Sequence, residues 1–403
     1  MTSANDSTLP DGPLAGVRIL EIGHYIAAPH CAMMLADQGA DVVKLEPLSG
    51  DPGRQSPPLA DNGESLAFAC HNRGKRSVAI DLRDPANRPA LDSLLGWADI
   101  VVTNYAAGIP EKLGFGFDRL QEVNPAASMV HITGYGADDP RRDFLAFDPT
   151  IQAMSGFAAL NATIDGPPLA SPFFMADHSV AMNAAFAAMC ALWEQRRTGK
   201  GRFVSLSMME SMTSQLSYHI PSAGVKGKVA GRGSGFGMFD MFPTKDAPIF
   251  LAPGAPDMWS ALFGLLGRPE WIPEKGEKLD LTSNPARIME VIKAVTAWLA
   301  ERSSKQAFTE LQQVGIACGV ARSVEQLYQE ERADETSAIV FAELARDGGS
   351  VPVPGAAFRM MPDGSVPTDV PGLGADTRAM LGELGLSDDR LDALQGHTAA
   401  AAS

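Results

Sequence analysis

Asp177 is the carboxylate in this sequence best placed to do chemistry. It lies in Phe174-Met175-Ala176-Asp177-His178, at the head of an apolar run that closes with Arg196-Arg197-Thr198-Gly199-Lys200-Gly201. Between Val180 and Trp193 every residue but Asn183 is apolar, a pattern that predicts a buried core helix and not a surface one. Two roles suit an Asp where such a helix begins. As an N-cap it would satisfy free amide donors and face the positive end of the helix dipole, worth about 1 kcal/mol. As a nucleophile it would be kept ionised by the same amides, near the usual carboxylate pKa of about 3.9, with Phe173, Phe174 and Met175 excluding water. The two roles are compatible.

A second pattern is cationic. Arg73, Lys75, Arg76 and Arg83 flank an expected strand at 77–82, and the C-terminal end of a strand in an open α/β sheet is where such sheets bind ligands. The cluster suits phosphate groups; a solvated basic turn is the alternative. Local charge matters because the chain as a whole is acidic: 33 Lys and Arg against 48 Asp and Glu, a formal charge of −15. That balance argues against nucleic acid or an anionic membrane as partner. Cys31, Cys70, Cys190 and Cys318 show neither metal-ligand spacing nor a paired motif, so reduced core thiols in a cytoplasmic protein, and no metal site, are expected. Residues 2–11 lack the pattern of a signal peptide, and no stretch of about 18 apolar residues suggests a membrane span.

These residues need a scaffold. Residues 17–22, 29–36 and 41–46 read as strand, helix and strand, a parallel crossover unit; further strands are expected at 77–82, 100–103 and 129–133, with helices at 89–97 and 117–122. The result is a doubly wound α/β domain. Gly23-His24-Tyr25-Ile26-Ala27-Ala28 after the first strand is not the G-x-G-x-x-G loop of a dinucleotide site, although Glu46 stands where a ribose-binding acid would. Composition shifts near residue 222: a glycine-rich stretch over 224–237 reads as a hinge, and helices at 258–266 and 288–301 suggest a smaller α+β unit. A Pro-containing tail ends in helices at 377–384 and 388–394. The domain spans are therefore 1–222, 223–330 and 331–403.

Several blocks, in one order, resemble the family III CoA-transferases, typified by the formyl-CoA, carnitine and bile-acid CoA-transferases. They are Leu14-Ala15-Gly16-Val17-Arg18-Ile19-Leu20-Glu21, Asp165-Gly166-Pro167-Pro168, Ala176-Asp177, Arg197-Thr198-Gly199-Lys200-Gly201, Val204-Ser205-Leu206-Ser207 and Leu384-Gly385-Leu386-Ser387. The resemblance implies a Rossmann-like large domain plus a smaller α+β domain, a tail returning to the large domain, and two subunits interlocked as a homodimer. It makes Asp177 the nucleophile. It assigns coenzyme A contacts to His71-Asn72-Arg73-Gly74-Lys75-Arg76-Ser77 and to Asn104-Tyr105, with Arg83 and Lys112 on phosphates and Asn104 and Tyr105 beside nucleotide and pantetheine. His24 and Ile26 fall on the loop that approaches the thioester, and Gly134-Tyr135-Gly136 faces the nucleophile, its amides available for oxyanions. A coenzyme A thioester is substrate, succinyl-CoA the default donor, and no cofactor is tightly bound. Departures matter too. Ile26 replaces a glutamine of formyl-CoA transferases, which argues against oxalate or formate, and Ala106-Ala107 replaces Arg-Pro.

The activity so implied is transfer of coenzyme A from an acyl-CoA to a carboxylic acid through Asp177 anhydride and thioester intermediates. A 2-methylacyl-CoA racemase or isomerase is the first alternative, but it needs a histidine where Phe147 precedes Asp148, and Phe cannot exchange a proton. A catalytically silent CoA-binding partner subunit is the second. Met154, Phe157, Phe173, Phe174, Met175, Phe236, Met238, Phe239 and Met241 could line an acyl pocket, with Arg232 available to a second carboxylate.

Overall fold

The computed structural model describes residues 12–162, 166–227, 229, 240–272, 274, 285–332, 338–358 and 366–401. Six strands form one sheet: β1 (Arg18–Ile22), β2 (Asp41–Glu46), β3 (Lys75–Ala79), β4 (Ile100–Thr103), β5 (Ser128–Thr133) and β6 (Phe203–Ser207). The order is β3-β2-β1-β4-β5-β6, and every pairing is parallel. Strands of such a sheet are covered on both faces, so they are short β-branched runs without strict alternation, as Ile100-Val101-Val102-Thr103 is. The helices up to residue 214 are α1 (Ala27–Ala36), α2 (Leu66–Asn72), α3 (Arg88–Trp97), α4 (Ile109–Leu113), α5 (Phe117–Val123), α6 (Asp148–Met154), α7 (Phe157–Leu160), α8 (Met175–Thr198) and α9 (Met208–Ser214). One apolar cluster joins β1, β4 and β5 to α1, α8 and α9; another joins the opposite face to α3 and to Met380, Leu381, Leu391 and Leu394 near the C-terminus. The sheet order reverses between β1 and β4. Their carboxyl ends diverge there and leave a crevice, the usual place for a ligand in an open α/β sheet.

The chain folds into two units. The first takes Met1–Ala158, Ala170–Ser217 and Thr336–Ser403; the second takes Ala159–Leu169 and Tyr218–Glu335. In the first unit the chain beyond 366 is stitched to β3: Asp376 accepts from the Ser77 amide at 2.8 Å and Thr377 Oγ1 from the Ala79 amide at 3.0 Å. In the second, the antiparallel strands Asp240–Phe242, Ile249–Leu251 and Cys318–Val320 share a core with helices Pro256–Leu265, Pro285–Ala300 and Ser304–Gln313. The Ser303/Gln306 capping box starts the last of these. The expected hinge glycines from 231 to 237 lie outside the described residues. Among the described residues no helix is long and apolar enough to cross a membrane.

Two expectations about elements need correction. β3 runs over 75–79 and not 77–82: it begins two residues earlier, where Lys75 bonds the buried Glu21, and ends three residues earlier, so Arg83 stands four residues past its end. And α8 is not buried all round. Its alanine face packs inward, while Met182, Phe186 and Trp193 on the other side are 51%, 73% and 67% exposed, and Cys190 beside them is an exposed thiol and not a core one.

Candidate active site

The head of α8 is capped by another helix. Phe174 occupies the N-cap position without a capping side chain, and Asp148, the first residue of α6, accepts the amides of Ala176 at 2.6 Å and Asp177 at 2.9 Å through one oxygen. Asp148 is buried, and its other oxygen accepts from Gln152, whose own carbonyl takes the Ser171 amide at 2.7 Å. The capping role expected of Asp177 therefore belongs to Asp148, and Asp177 stands within the first turn. Among the described residues no donor reaches the Asp177 carboxylate. Burial, followed by the charge of Asp148, pushes its pKa up to about 7, so it is not the ordinary, fully ionised carboxylate expected from sequence. A less stabilised carboxylate is a stronger nucleophile once ionised.

Asp177 opens onto a cavity of about 790 Å³. Its walls come from the loops that leave the sheet at the crevice: His24, Tyr25 and Ile26 after β1, Asn104 and Tyr105 after β4, and Gly134 after β5, with Phe144, Leu145, Phe147, Phe174 and Met208 adding apolar surface. The loop after β1 is held rigidly. Asn104 accepts the His24 amide at 2.9 Å and donates to the His24 carbonyl at 2.8 Å, while Asp51 accepts the amide of Tyr25, whose φ of 61° is a left-handed conformation that few non-glycine residues adopt. A side chain at Gly23 would meet Ala28 and Asn104 at 2.7 Å, and one at Gly134 would meet Ala146 at 2.2 Å. Asn104 thus spends its amide on positioning His24, whose pKa burial lowers.

The other expected residues divide. Gly134 lines the cavity; Tyr135 is buried outside that lining, its hydroxyl donating to Met154 Sδ at 3.0 Å, and the Gly136 amide is taken by Thr133 Oγ1 at 2.9 Å, so of the three only Gly136 has its amide engaged elsewhere among the described residues. Arg73 and Lys75 do not reach a ligand either. Both are buried: Arg73 pairs with Asp37, and Lys75 Nζ bonds Glu21 at 3.1 Å, the Pro29 carbonyl at 2.8 Å and Asn72 at 2.9 Å. Glu21 also takes Lys44 at 3.0 Å, and Lys44 reaches Asp51 at 2.9 Å and the Gly23 carbonyl at 3.2 Å, so this buried network underpins the His24 loop. Glu46 is consumed by Arg54 and Ser77, which removes it as a ribose ligand. Arg83 and Lys112 are exposed and outside the cavity lining. Sequence reasoning missed Arg142, which lines the cavity and among the described residues has only Asp143, 3.8 Å away, as an ionic partner; it lies in an irregular stretch with no periodic signal. Of the proposed acyl-pocket residues, Phe174 lines the cavity, Phe173 stacks on His178, and Phe157 and Met175 pack on the core; Arg232, Phe236, Met238 and Phe239 lie outside the described residues.

Known proteins resemble this chain in sequence and in fold. The chain is 28% identical over 400 residues to succinyl-CoA–D-citramalate CoA-transferase of Chloroflexus aurantiacus, covering 96% of this chain and 98% of that one. It is 29% identical over 384 residues to succinyl-CoA:glutarate CoA-transferase of Mus musculus, covering 92% and 86%. A CAIB/BAIF family protein from Brucella suis has a crystal structure that superposes with a TM-score of 0.79 at 25% identity, covering 93% of this chain and 99% of that one. Residues 14–377 match the family described as CoA-transferase family III, and the chain belongs to that family.

Proposed function

We propose that this protein moves coenzyme A from succinyl-CoA to a dicarboxylic acid, with Asp177 as the covalent carrier. The observation that carries the reading is the unpartnered Asp177 carboxylate, raised to about 7, on the wall of a largely apolar cavity. Ionised Asp177 attacks the thioester carbonyl, the C–S bond breaks, and a mixed anhydride and coenzyme A thiolate result. The thiolate then attacks the Asp177 carbonyl, releasing the donor acid and leaving an aspartyl thioester. The acceptor carboxylate reverses these steps. No ATP is needed because a thioester is present at each end.

The choice of acids is supported by the two relatives, whose names give succinyl-CoA with D-citramalate or glutarate, and by Arg142. Among the described residues that line the cavity, Arg142 alone carries a permanent positive charge, suited to the far carboxylate of a dicarboxylic acid. Coenzyme A enters from the side of Tyr105, with exposed Arg83 and Lys112 meeting its phosphates. A homodimer completes the proposal, formed over the exposed Met182-Phe186-Trp193 face of α8.

Incubation with succinyl-CoA followed by hydroxylamine should inactivate the protein and add mass to the peptide bearing Asp177, whereas Asp177→Ala should neither turn over nor be labelled. A labelled peptide elsewhere would refute the mechanism. In deuterated water a chiral 2-methylacyl-CoA should gain no deuterium at its α-carbon; uptake without an aspartyl adduct would establish the racemase instead. Arg142→Ala should raise KM for glutarate at least tenfold more than for a monocarboxylic acid of equal length, matching the loss of about 1.4 kcal/mol or more from a charge-assisted contact.

A further inference from the structure

Beside Asp177, three helices bring three imidazoles together. His30 comes from α1, His71 from the last turn of α2 and His178 from the first turn of α8, and one nitrogen from each ring lies within 4.8 Å of the others. Ring centroids are 4.8 Å apart for His30 and His178, 5.2 Å for His30 and His71, and 5.5 Å for His71 and His178. The detail of the contacts is specific. His30 Nδ1 and His71 Nδ1 are 3.2 Å apart. That is close to the edge of a tetrahedron around an ion with metal–nitrogen distances of about 2.0–2.1 Å, which is about 3.3–3.4 Å. His178 donates its Nδ1 proton to the Phe174 carbonyl at 2.7 Å, leaving the lone pair on Nε2. Ligating imidazoles are held in this manner, the second nitrogen tied to a carbonyl that fixes ring and tautomer. Phe173 stacks on the same ring, centroids 4.7 Å apart and planes 26° apart.

The electrostatic setting is compatible with a cation. Burial above all keeps His30 and His71 neutral, the form that binds metals. The cations nearest the cluster, Lys75 and Arg73, are each neutralised by a buried carboxylate, Glu21 and Asp37.

We propose that His30, His71 and His178 form a binding site for a divalent transition ion of the zinc class, with three imidazole ligands and a fourth position open to water or a carboxylate. Three nitrogens and no carboxylate select zinc, cobalt, nickel or copper over magnesium and calcium, which take oxygen ligands. Without metal, one of His30 and His71 holds its proton on Nδ1 to make their hydrogen bond; binding moves that proton to Nε2 of the same ring, and no net proton is released. Of the three, His71 lines the same cavity as Asp177, which joins this cluster to the space that substrates enter. The site stands or falls independently of the transfer reaction.

Full-length protein stripped with a chelator and dialysed against micromolar zinc should retain one zinc per chain by plasma mass spectrometry. His30→Ala and His178→Ala, checked for folding by circular dichroism in the absence of metal, should each weaken binding at least tenfold. Zinc-edge X-ray absorption on the wild-type protein needs no variant and should report three imidazole nitrogens at about 2.0–2.1 Å. Failure of the wild type to retain zinc, retention undiminished in folded variants, or a spectrum without imidazole scattering would each overturn the site.

Discussion

Asp148 and Asp177 sit at the starts of neighbouring helices and are tuned for different work. Asp148 accepts two amides of α8 and one side-chain amide, so its charge is matched by donors. Asp177 faces the cavity, and burial together with the Asp148 charge raises its pKa to about 7. Because the ionised form is the nucleophile, kcat/KM of chelator-treated enzyme should climb with pH through about 7 and level off above it. Asp148→Asn removes the like charge and should move that midpoint down; an unchanged midpoint would show that Asp177 does not set the profile. Stability follows the opposite sign. A carboxyl whose folded pKa lies above its unfolded value holds a proton in the native state that the unfolded chain has lost, so native stability falls as pH rises from about 4 to about 7. Asp177→Asn should therefore be at least as stable as the wild type at pH 8 by calorimetry, with the advantage shrinking toward pH 4. Asp148→Ala, in contrast, leaves two helix amides unsatisfied and should cost about 1–2 kcal/mol.

Elements explain which parts of this site could be read from sequence. Strands β1, β2, β4 and β5 were legible because each is a short apolar run bounded by Gly, Asp or Asn, and Asp177 was legible because it interrupts an apolar stretch. What stayed hidden depends on contacts across elements. No local pattern tells that Asp148, 29 residues before Asp177, caps α8, or that Lys44 and Lys75 on adjacent strands share Glu21 on a third. For the same reason a basic cluster that looked ligand-facing proved largely structural, with Arg73, Lys75 and Arg76 each paired to a carboxylate, and three histidines scattered over some 150 positions gave no metal signal. The lysine network beneath the His24 loop makes its own prediction. Glu21→Gln leaves two ammonium groups buried beside a neutral amide, and breaking a buried ion pair from one side costs about 3–5 kcal/mol. Urea denaturation should show a loss of that order. A loss below about 1 kcal/mol would mean that water or the remaining carboxylate Asp51 replaces the partner.

At the scale of the molecule, α8 presents a surface that the described residues leave uncovered. Met182, Phe186 and Trp193 follow each other at intervals of four and seven, which places them on one side of the helix, opposite the buried stripe of Ala181, Ala184, Ala188 and Leu192. Exposed apolar stripes of this size mark contact surfaces, and a helix with two apolar sides is what an element shared between two chains needs. The same helix carries Asp177 in its first turn, so a second copy packed on α8 would steady the nucleophile and shield it from water. Phe186→Arg with Trp193→Arg should convert a dimeric protein to monomers in size-exclusion chromatography with light scattering. Because both side chains are exposed in the isolated chain, far-UV circular dichroism of the variant should stay native. Transfer activity should fall more than tenfold, since the head of α8 loses its support. A wild type that runs as a monomer, or a double variant that remains dimeric, would place the subunit contact elsewhere or remove it.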